Sequence, residues 1–359
     1  MWRFFLASAV LYFNDGISDL KGDSNSMDTT LIQEYRGGLL ECVHRGHICV
    51  VDEHGHVMKY VGDPHYKAFT RSSAKPIQAI PAIRAGMIEN FGLTEEEIAI
   101  MTASHRGEHI HVQALEHLMK KTNLQEDHMV CAPSLPLDQA SAECLLREGG
   151  QRRRMYHNCA GKHLGILAYC KMMNLPQEGY SKREHPVQEE IADTLANLAN
   201  IPREEIGRAI DGCGLPVFNL PLSALATAYM KLACPDLIED SATARAVTTI
   251  TSAMNHYPHL VGGRGKVDSI MLEDDNLIAK GGFKGVFAFS LRKERLGVAF
   301  KVADGSEEEW GLIALGILEQ LGYSNPNTLQ QLRDTFSTEI NNDEGWSVGH
   351  VESVFNLNQ

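Results

Sequence analysis

The sequence predicts a mixed α/β fold of the α+β type, in which strands from both ends of the chain form one antiparallel sheet beside a helical lobe. Two short apolar runs at 47–51 and 57–61 surround a Gly-containing turn and indicate a β-hairpin. Strand-like segments return only between 269 and 302, while helical spacing dominates the chain between these regions. Because such elements segregate into layers, we expect a functional cleft between the sheet and the lobe.

The individual elements follow from apolar periodicity and from start and stop signals. Pro76 lies near the start of the first predicted helix and Gly86 follows its end, which is the usual placement of these residues. The predicted helices are 76–85, 108–121, 161–173, 186–199, 222–232, 241–255 and, as the last element, 307–321. The predicted strands are 47–51, 57–61, 269–272, 277–279, 285–291 and 296–302.

The composition is that of a globular protein with an acidic balance. The 359 residues include 33 Lys and Arg against 46 Asp and Glu, a net charge of −13, which argues against a nucleic-acid partner because such partners require clustered cations. Hydrophobic residues make up 43%, enough for a substantial core. We expect a single domain over 27–359, with the sheet from about 35–70 and 265–325 and the helical lobe over about 72–260.

Cysteine usage and the N-terminal segment indicate where in the cell the protein is located. The eight Cys residues form no C-x-x-C pair and no dense framework, so we expect free thiols and a cytoplasmic location. The apolar run within residues 1–13 is too short to cross a bilayer, which takes about 20 residues, so we expect no membrane association. Residues 1–26 are expected to form a poorly ordered extension.

A Ser-x-x-Lys spacing provides the first candidate for chemistry. Ser72 and Lys75 lie three residues apart at the start of a predicted helix, so they share one helix face. Lysine can remove a proton from serine only when burial or nearby positive charge lowers the pKa of the amine. The same spacing also fits a serine at a helix cap beside a solvated lysine.

Two further polar positions follow in chain order. Ser104 lies between an apolar run and a helix, and Lys280 precedes two glycines that allow close approach to the backbone. Serine acyl enzymes of the β-lactamase and penicillin-binding group use S-x-x-K, then a Ser-containing loop, then K-[ST]-G on a strand. Here Gly281 stands in place of the Ser or Thr and there is no S-D-N, so classical β-lactam chemistry is disfavoured.

A separate cluster of cysteine, lysine and histidine suggests a metal site. Cys159, Lys162 and His163 share a face of one predicted helix, and Cys213 lies in a loop flanked by glycines. Two thiolates and a nitrogen ligand suit zinc, with a fourth position open to water. The spacing fits equally well two buried cysteines that act as small apolar residues.

Taken together, these motifs resemble the asparaginase II family, the rhizobial type of L-asparaginase, from about residue 31 to 321. The segments that carry the resemblance are Tyr35–Gly38, Glu41, His44–Gly46, Arg71–Gln78, Ala103–Glu108, His157–His163, Asp211–Pro216 and Lys280–Gly282. The resemblance implies a serine-β-lactamase-like fold, a homodimer, and an amidohydrolase that converts L-asparagine and water to L-aspartate and ammonia.

The resemblance also implies roles for individual residues. Ser72 with Lys75 and Ser104 with Lys280 would form two catalytic Ser-Lys pairs, with Ser72 as the nucleophile and the second pair relaying protons. Zinc would be held by the side chains of Cys159, Lys162 and Cys213, for which the lysine amine must be neutral. The substrate amino acid would be bound near Arg71, His163 and Asp211, with Arg71 meeting a carboxylate and Asp211 the α-ammonium.

The chain departs from the family pattern near Lys280, and this leaves alternatives open. Phe283 and Lys284 stand where the family commonly has Ala and Glu, and Ala160 stands where it commonly has Ser. A Lys284 side chain in the cleft would lower the pKa of Lys280, whereas one in solvent would have no effect. The alternatives are a serine acyl hydrolase for another amide or peptide, and a catalytically impaired protein that binds an amino acid or zinc.

Overall fold

A computed structural model describes residues 28–357, so the extension expected over residues 1–26 lies outside the described part of the chain. The predicted architecture is confirmed. Strands from both ends of the chain form an eight-stranded sheet whose neighbours are all antiparallel, and most of the intervening chain is helical.

The chain contains eleven strands and thirteen α-helices within the described residues. The strands are β1 Thr29–Arg36, β2 Leu39–Val51, β3 Val57–Val61, β4 Lys67–Phe69, β5 Gly207–Ile210, β6 Pro216–Pro221, β7 Leu277–Gly281, β8 Val286–Leu291, β9 Leu296–Val302, β10 Glu339–Asn341 and β11 Ser347–Ser353. The α-helices are α1 Lys75–Arg84, α2 Met87–Phe91, α3 Glu95–Thr102, α4 His109–Thr122, α5 Gln139–Arg147, α6 Ala160–Met172, α7 Pro186–Ala199, α8 Leu222–Ala233, α9 Ser241–His256, α10 Pro258–Gly262, α11 Val267–Leu272, α12 Trp310–Gln320 and α13 Pro326–Thr335.

The order of strands in the large sheet is β10-β11-β1-β2-β9-β8-β7, and β3 also pairs with β2. The central strand β2 therefore joins the N-terminal hairpin to the late strands, with Ile48 opposite Phe300. Strand β7 lies at an edge of this sheet, and it carries Lys280. That edge borders the helical lobe, because the turn that precedes α1 packs against β7 and β8.

The two faces of the sheet are covered by different helices. Phe287 and Phe289 on β8 share one buried cluster with the apolar side of α12, whereas the intervening Ala288 belongs to the cluster that contains α8. This alternation is expected for a strand buried on both faces. Helix α8 approaches closely because Gly297 has no side chain: a Cβ atom there would lie 2.0 Å from the carbonyl oxygen of Ala226.

One predicted strand is wrong. Residues 269–272 belong to helix α11, all six residues of which are buried. A short apolar run bounded by polar residues has the same appearance in a buried strand and in a buried helix, so periodicity cannot separate the two. The difference affects the site, because α11 carries Asp268.

The chain also contains elements that the sequence did not predict. Helix 307–321 is not the last element, since α13, β10 and β11 follow it. Both late strands are largely exposed and lack a continuous apolar face, which removes the signal for a strand. Strand β4, expected in the main sheet, pairs with β6 in a three-stranded sheet of order β4-β6-β5 beside the lobe helices.

Candidate active site

The site is built around the turn that leads into α1. Residues Arg71–Ala74 form a short 3₁₀ turn, and Arg71 has φ +52°, a left-handed conformation that is uncommon for a residue with a side chain. The Arg71 guanidinium forms an ion pair with Asp211, with Nη2 2.7 Å from Oδ1. It also lies over the Phe283 ring, 5.1 Å from the ring centre.

The two neighbouring serines in this turn have different surroundings. The Ser73 hydroxyl donates to the Thr70 carbonyl across 2.6 Å, and the Ser73 carbonyl accepts from the Tyr229 hydroxyl, also at 2.6 Å. Ser73 therefore has a structural role. Ser72, in contrast, lines the main cavity and is 7% exposed.

Lys75 is completely buried and its amine has three neighbours. Nζ lies 2.6 Å from the Ala103 carbonyl oxygen, 3.1 Å from the Asn158 carbonyl oxygen and 3.1 Å from Ser104 Oγ. A neutral amine has two N–H groups and one lone pair, which match two carbonyls and one hydroxyl that can donate. An ammonium can equally donate to all three oxygens, so the geometry suits a lysine that exchanges a proton with the Ser104 hydroxyl.

The electrostatic environment makes the neutral form of Lys75 easier to reach. Burial lowers the pKa of Lys75 to about 8, and the positive charges of Lys162 and Lys280 add to this effect against the opposing influence of Cys159. Within residues 28–357, no hydrogen bond joins the Lys75 amine to the Ser72 hydroxyl, so the serine directly hydrogen-bonded to Lys75 is Ser104.

Lys280 pairs with a carboxylate instead of a serine. Its Nζ donates to Asp268 Oδ2 across 2.9 Å and to the Gly281 carbonyl across 3.0 Å, and the Gly281 amide also donates to Asp268 Oδ2. Burial opposes the charge of Asp268, but Lys280 outweighs it and lowers the pKa of the carboxyl. Asp268 is not among the site residues predicted from the sequence, because it immediately precedes the apolar segment 269–272, which predicts a strand.

The pair of glycines after Lys280 allows the close approach expected from the sequence. A Cβ atom on Gly282 would lie 2.6 Å from the Val286 carbonyl oxygen and 3.0 Å from that of Thr70. Thr70 immediately precedes Arg71. The absence of a side chain at Gly282 therefore lets the end of β7 contact the turn that carries Ser72.

The three residues predicted to bind zinc lie together in the structure. Lys162 Nζ is 3.3 Å from Cys213 Sγ, and all three side chains of the set are buried. A hydrogen bond from Cys213 lowers the pKa of Cys159 well below its usual value despite burial, and the same bond raises the pKa of Cys213. Burial opposes the charge of Lys162, but the two cysteines outweigh it and raise its pKa. The two sulfurs suit zinc, whereas the raised pKa of Lys162 favours its ammonium form, so zinc would bind this amine only with release of its proton.

Of the three predicted substrate-binding residues, two line the cavity and one does not. Asp211 lines the cavity beside Arg71, whereas His163 is fully buried and is not among the residues that line the cavity. His163 Nδ1 lies 2.6 Å from the Tyr180 hydroxyl. Burial, together with the positive charge of Lys162, lowers the pKa of His163 to about 3, so its ring is neutral.

The cavity has a volume of about 640 Å³ and lies between the sheet edge and the lobe. The exposed ring of Phe283 forms part of its rim, while Lys284 is exposed and is not among the lining residues. The lining side chains that can act as acids, bases, nucleophiles or ion-pair partners include Arg71, Ser72, Ser104, Arg106, His157, Cys159, Asp211, Cys213, Asp268 and Lys280. All eight cysteines of the chain are free thiols, as the sequence predicted.

A buried lysine that contacts one of the two serines lining the cavity suits an enzyme that hydrolyses acyl compounds. The protein belongs to the L-asparaginase II family, whose sequence profile matches residues 32–353. It is therefore an amidohydrolase with a small-molecule substrate. No curated protein matches the sequence. Among residues 28–357, no helix is both long enough and apolar enough to cross a membrane.

Solved structures with similar folds include β-lactamase and glutaminase proteins. A β-lactamase from Mycobacterium bovis is 14% identical, with 77% of this chain and 94% of that chain covered and a TM-score of 0.40. A Bacillus glutaminase is 15% identical, with 78% and 91% covered and a TM-score of 0.35. The native form of Mglu is 13% identical with a TM-score of 0.39, and the match covers 80% of this chain but only 60% of Mglu.

Proposed function

We propose that this amidohydrolase converts L-asparagine and water to L-aspartate and ammonia through a serine nucleophile and a neutral lysine base. The observation that carries the proposal is the buried Lys75 amine, which has a lowered pKa and contacts Ser104 in the cavity lined by Ser72. Amide hydrolysis needs a nucleophile and a base, and these groups supply both.

The proposed reaction has two stages. Ser72 Oγ attacks the side-chain amide carbon, and its proton passes through the Ser104 hydroxyl to Lys75 Nζ. The amide C–N bond breaks as Lys75 returns this proton through the Ser104 hydroxyl to the leaving nitrogen, which releases ammonia and leaves a β-aspartyl ester on Ser72. Water then attacks the ester and loses a proton through Ser104 to Lys75, and aspartate leaves as this proton returns to Ser72 Oγ.

We propose that Arg71 and Asp211 bind the amino-acid end of the substrate. A zwitterion carries one carboxylate and one ammonium, and the ion pair offers one partner for each. Lys280, held by Asp268, contributes positive charge close to the reacting groups and disfavours protonation of Lys75.

Zinc at Cys159, Lys162 and Cys213 remains a proposal that the donor chemistry supports. When bound, a zinc ion supplies positive charge that polarises nearby groups and holds thiolates deprotonated. In this chain the three donors position the start of α6 against the loop that carries Asp211.

We also propose a cytoplasmic location and a homodimer, both of which are expected from the sequence. Light scattering of the purified protein tests the homodimer.

The experiment that tests the function is ammonia release by the purified protein with L-asparagine or L-glutamine, together with mass-spectrometric mapping of any acyl-enzyme. We expect release with L-asparagine, an acyl group on the peptide that contains Ser72, and neither in Ser72→Ala. An acyl group on Ser104 instead would exchange the roles of the two serines. Binding of L-asparagine without ammonia release would favour the impaired binding protein.

A second candidate substrate class is a larger amide or a peptide. The exposed Phe283 ring at the rim of the cavity favours this alternative, because an apolar ring can pack against a substrate longer than asparagine. A panel of N-acylated amino acids and short peptides assayed in parallel separates the two: turnover of these compounds at a higher kcat/KM than L-asparagine would select the second class.

A further inference from the structure

A second group of potential ligands lies on the large sheet, and none of its three side chains lines the cavity. It consists of Glu34 on β1, His44 on β2 and Glu309 immediately before α12. One ligand atom from each residue lies within 4.8 Å of the other two. His44 Nε2 is 3.3 Å from Glu34 Oε1 and 3.4 Å from Glu309 Oε1.

These separations match those between ligands of one metal ion. Nitrogen and oxygen ligands bind first-row metals at about 2.0–2.2 Å, which places two ligands of the same ion roughly 3 Å apart. The imidazole nitrogen therefore already lies at a suitable distance from both carboxylates. The backbone does not have to move to bring the three groups together.

The Glu309 carboxylate is an independent observation that points to a ligand. Its side chain is 4% exposed and faces the His44 ring, yet Oε2 has no hydrogen-bond partner among the described residues. A buried carboxylate with an unpaired oxygen is costly. The position at the start of α12 provides some positive potential, but a helix end is a partial charge only.

The charge of the cluster is also unbalanced. Glu34, Glu309 and Asp304 surround the single ring of His44, which carries at most one positive charge. The nearby Lys301 amine is directed to backbone carbonyls, including that of Lys284 at 2.8 Å. Arg36 also acts on Glu34, but its guanidinium hydrogen-bonds to Glu41, and Asp304 is half exposed. Glu309 is the buried carboxylate of the group, and a divalent cation would neutralise it.

Asp304 completes the pattern of a metal-binding histidine. Its Oδ2 lies 2.8 Å from His44 Nδ1, so it accepts the proton of that nitrogen and leaves Nε2 directed at the two glutamates. Metal-ligating histidines commonly hydrogen-bond through their other ring nitrogen to a carboxylate, which fixes the tautomer and the ring orientation.

We propose that Glu34, His44 and Glu309 bind a divalent first-row metal ion, with Asp304 orienting His44. One imidazole and two carboxylates suit Mn²⁺ or Zn²⁺, whereas the sulfur-rich set at Cys159 and Cys213 disfavours Mn²⁺. The site ties β1 and β2 to the turn before α12. Glu307, Glu308 and Trp310 of this turn line the catalytic cavity, so the metal stabilises one wall of that cavity.

The test is a titration of the chelator-treated full chain with Mn²⁺ alone, in which free Mn²⁺ is counted by electron paramagnetic resonance. We expect one bound Mn²⁺ per chain for the wild type and loss of this binding in Glu309→Gln and in His44→Gln. We also expect saturating Mn²⁺ to raise the melting temperature of the wild type but not that of Glu309→Gln.

Matched controls separate this site from other sources of binding. Cys213→Ser removes a ligand of the sulfur-containing set and should retain Mn²⁺, and so should His350→Gln, which removes another histidine–carboxylate pair on the same sheet. Glu309→Gln should fold without metal, because the amide removes one of three clustered negative charges, and circular dichroism checks this. Wild-type protein that binds no Mn²⁺, or Glu309→Gln that binds it equally well, would overturn the proposal.

Discussion

Lys75 contacts the hydroxyl of Ser104 at 3.1 Å, although 29 residues separate the two in the chain. The contact joins the start of α1 to the segment that follows α3, and both segments are held in place by the buried core of the lobe. It gives the lysine one partner that can donate a proton, beside two carbonyls that can only accept. The predictions below follow from this contact and its neighbours.

Replacement of Lys75 by arginine is expected to abolish turnover. Arginine keeps the positive charge but cannot act as a base, since its pKa is above 12, and general-base catalysis contributes about 10²–10⁴-fold. We expect kcat for ammonia release to fall by at least about 10². Lys231→Arg, at a lysine of the lobe that contacts Asn197, is the matched control and should keep full activity. Retained activity in Lys75→Arg would contradict the proposed base.

The rate should depend on pH with a midpoint near the lowered pKa of Lys75, about 8. Below this pH the amine is protonated and cannot accept a proton, so the rate rises about tenfold per pH unit up to the midpoint and then levels off. A lysine with an ordinary pKa of about 10.4 would instead give a rate that still rises at pH 9–10. Measurement of kcat/KM between pH 6 and 10 distinguishes the two profiles.

Replacement of Asp268 by asparagine should destabilise the fold as well as reduce activity. It leaves the charge of Lys280 buried without its partner, and loss of one partner of a buried pair costs about 3–5 kcal/mol. Urea unfolding measures the change. The double variant Asp268→Asn with Lys280→Met removes both charges and should recover much of the stability but none of the activity. Wild-type stability of the single variant would show that the ion pair does not stabilise the fold.

Removal of the Phe283 ring is expected to weaken substrate binding more than catalysis. The ring contacts the Arg71 guanidinium, and exposed cation–π contacts contribute about 0.5–1 kcal/mol, which corresponds to a change of about two- to fivefold. For Phe283→Ala we expect KM for L-asparagine to rise by this factor with kcat unchanged. Trp346→Ala removes another exposed aromatic ring, one that does not line the cavity, and as the control it should change neither constant. A changed kcat in Phe283→Ala would place the ring closer to the reacting groups.

Loss of one sulfur ligand should reduce zinc content. Cys213→Ser removes one of the two thiols next to Lys162, and two remaining donors bind zinc poorly. In the Glu309→Gln background, which removes a ligand of the site on the large sheet, we expect the zinc bound per chain, measured by elemental analysis after dialysis, to fall to near zero. Cys170→Ser, at a buried cysteine elsewhere on α6, should keep the wild-type content. Zinc that stays bound in Cys213→Ser would place the metal at other residues.

The sequence was informative about elements whose own residues carry a clear pattern. Helix 186–199 is observed at Pro186–Ala199, because Pro at its start and an amphipathic face mark both its extent and its orientation. Helix α11 was assigned to a strand, since its six residues are too few to show a helical period. Strand β11 lacks an apolar face and gave no signal, although it pairs with β1 over Ile32 to Arg36.

At the site, the sequence identified individual residues but not the contacts between them. Ser72, Ser104, Asp211 and Lys280 were all identified from the sequence, and all line one cavity. Their pairing was not predictable: Lys75 is hydrogen-bonded to Ser104 and Lys280 to Asp268. His163, selected from its motif, is buried against Tyr180 and does not line the cavity.

By itself, the sequence determined the family, the antiparallel sheet with its helical lobe, and the residue types from which a site could be built. These depend on local pattern and on short motifs, which are properties of neighbouring residues. Only the tertiary structure decided which lysine contacts which hydroxyl, that Asp268 holds Lys280, and that Glu34, His44 and Glu309 converge. Such contacts join segments far apart in the chain, and their distances are set by the packing of helices and strands that no local pattern specifies.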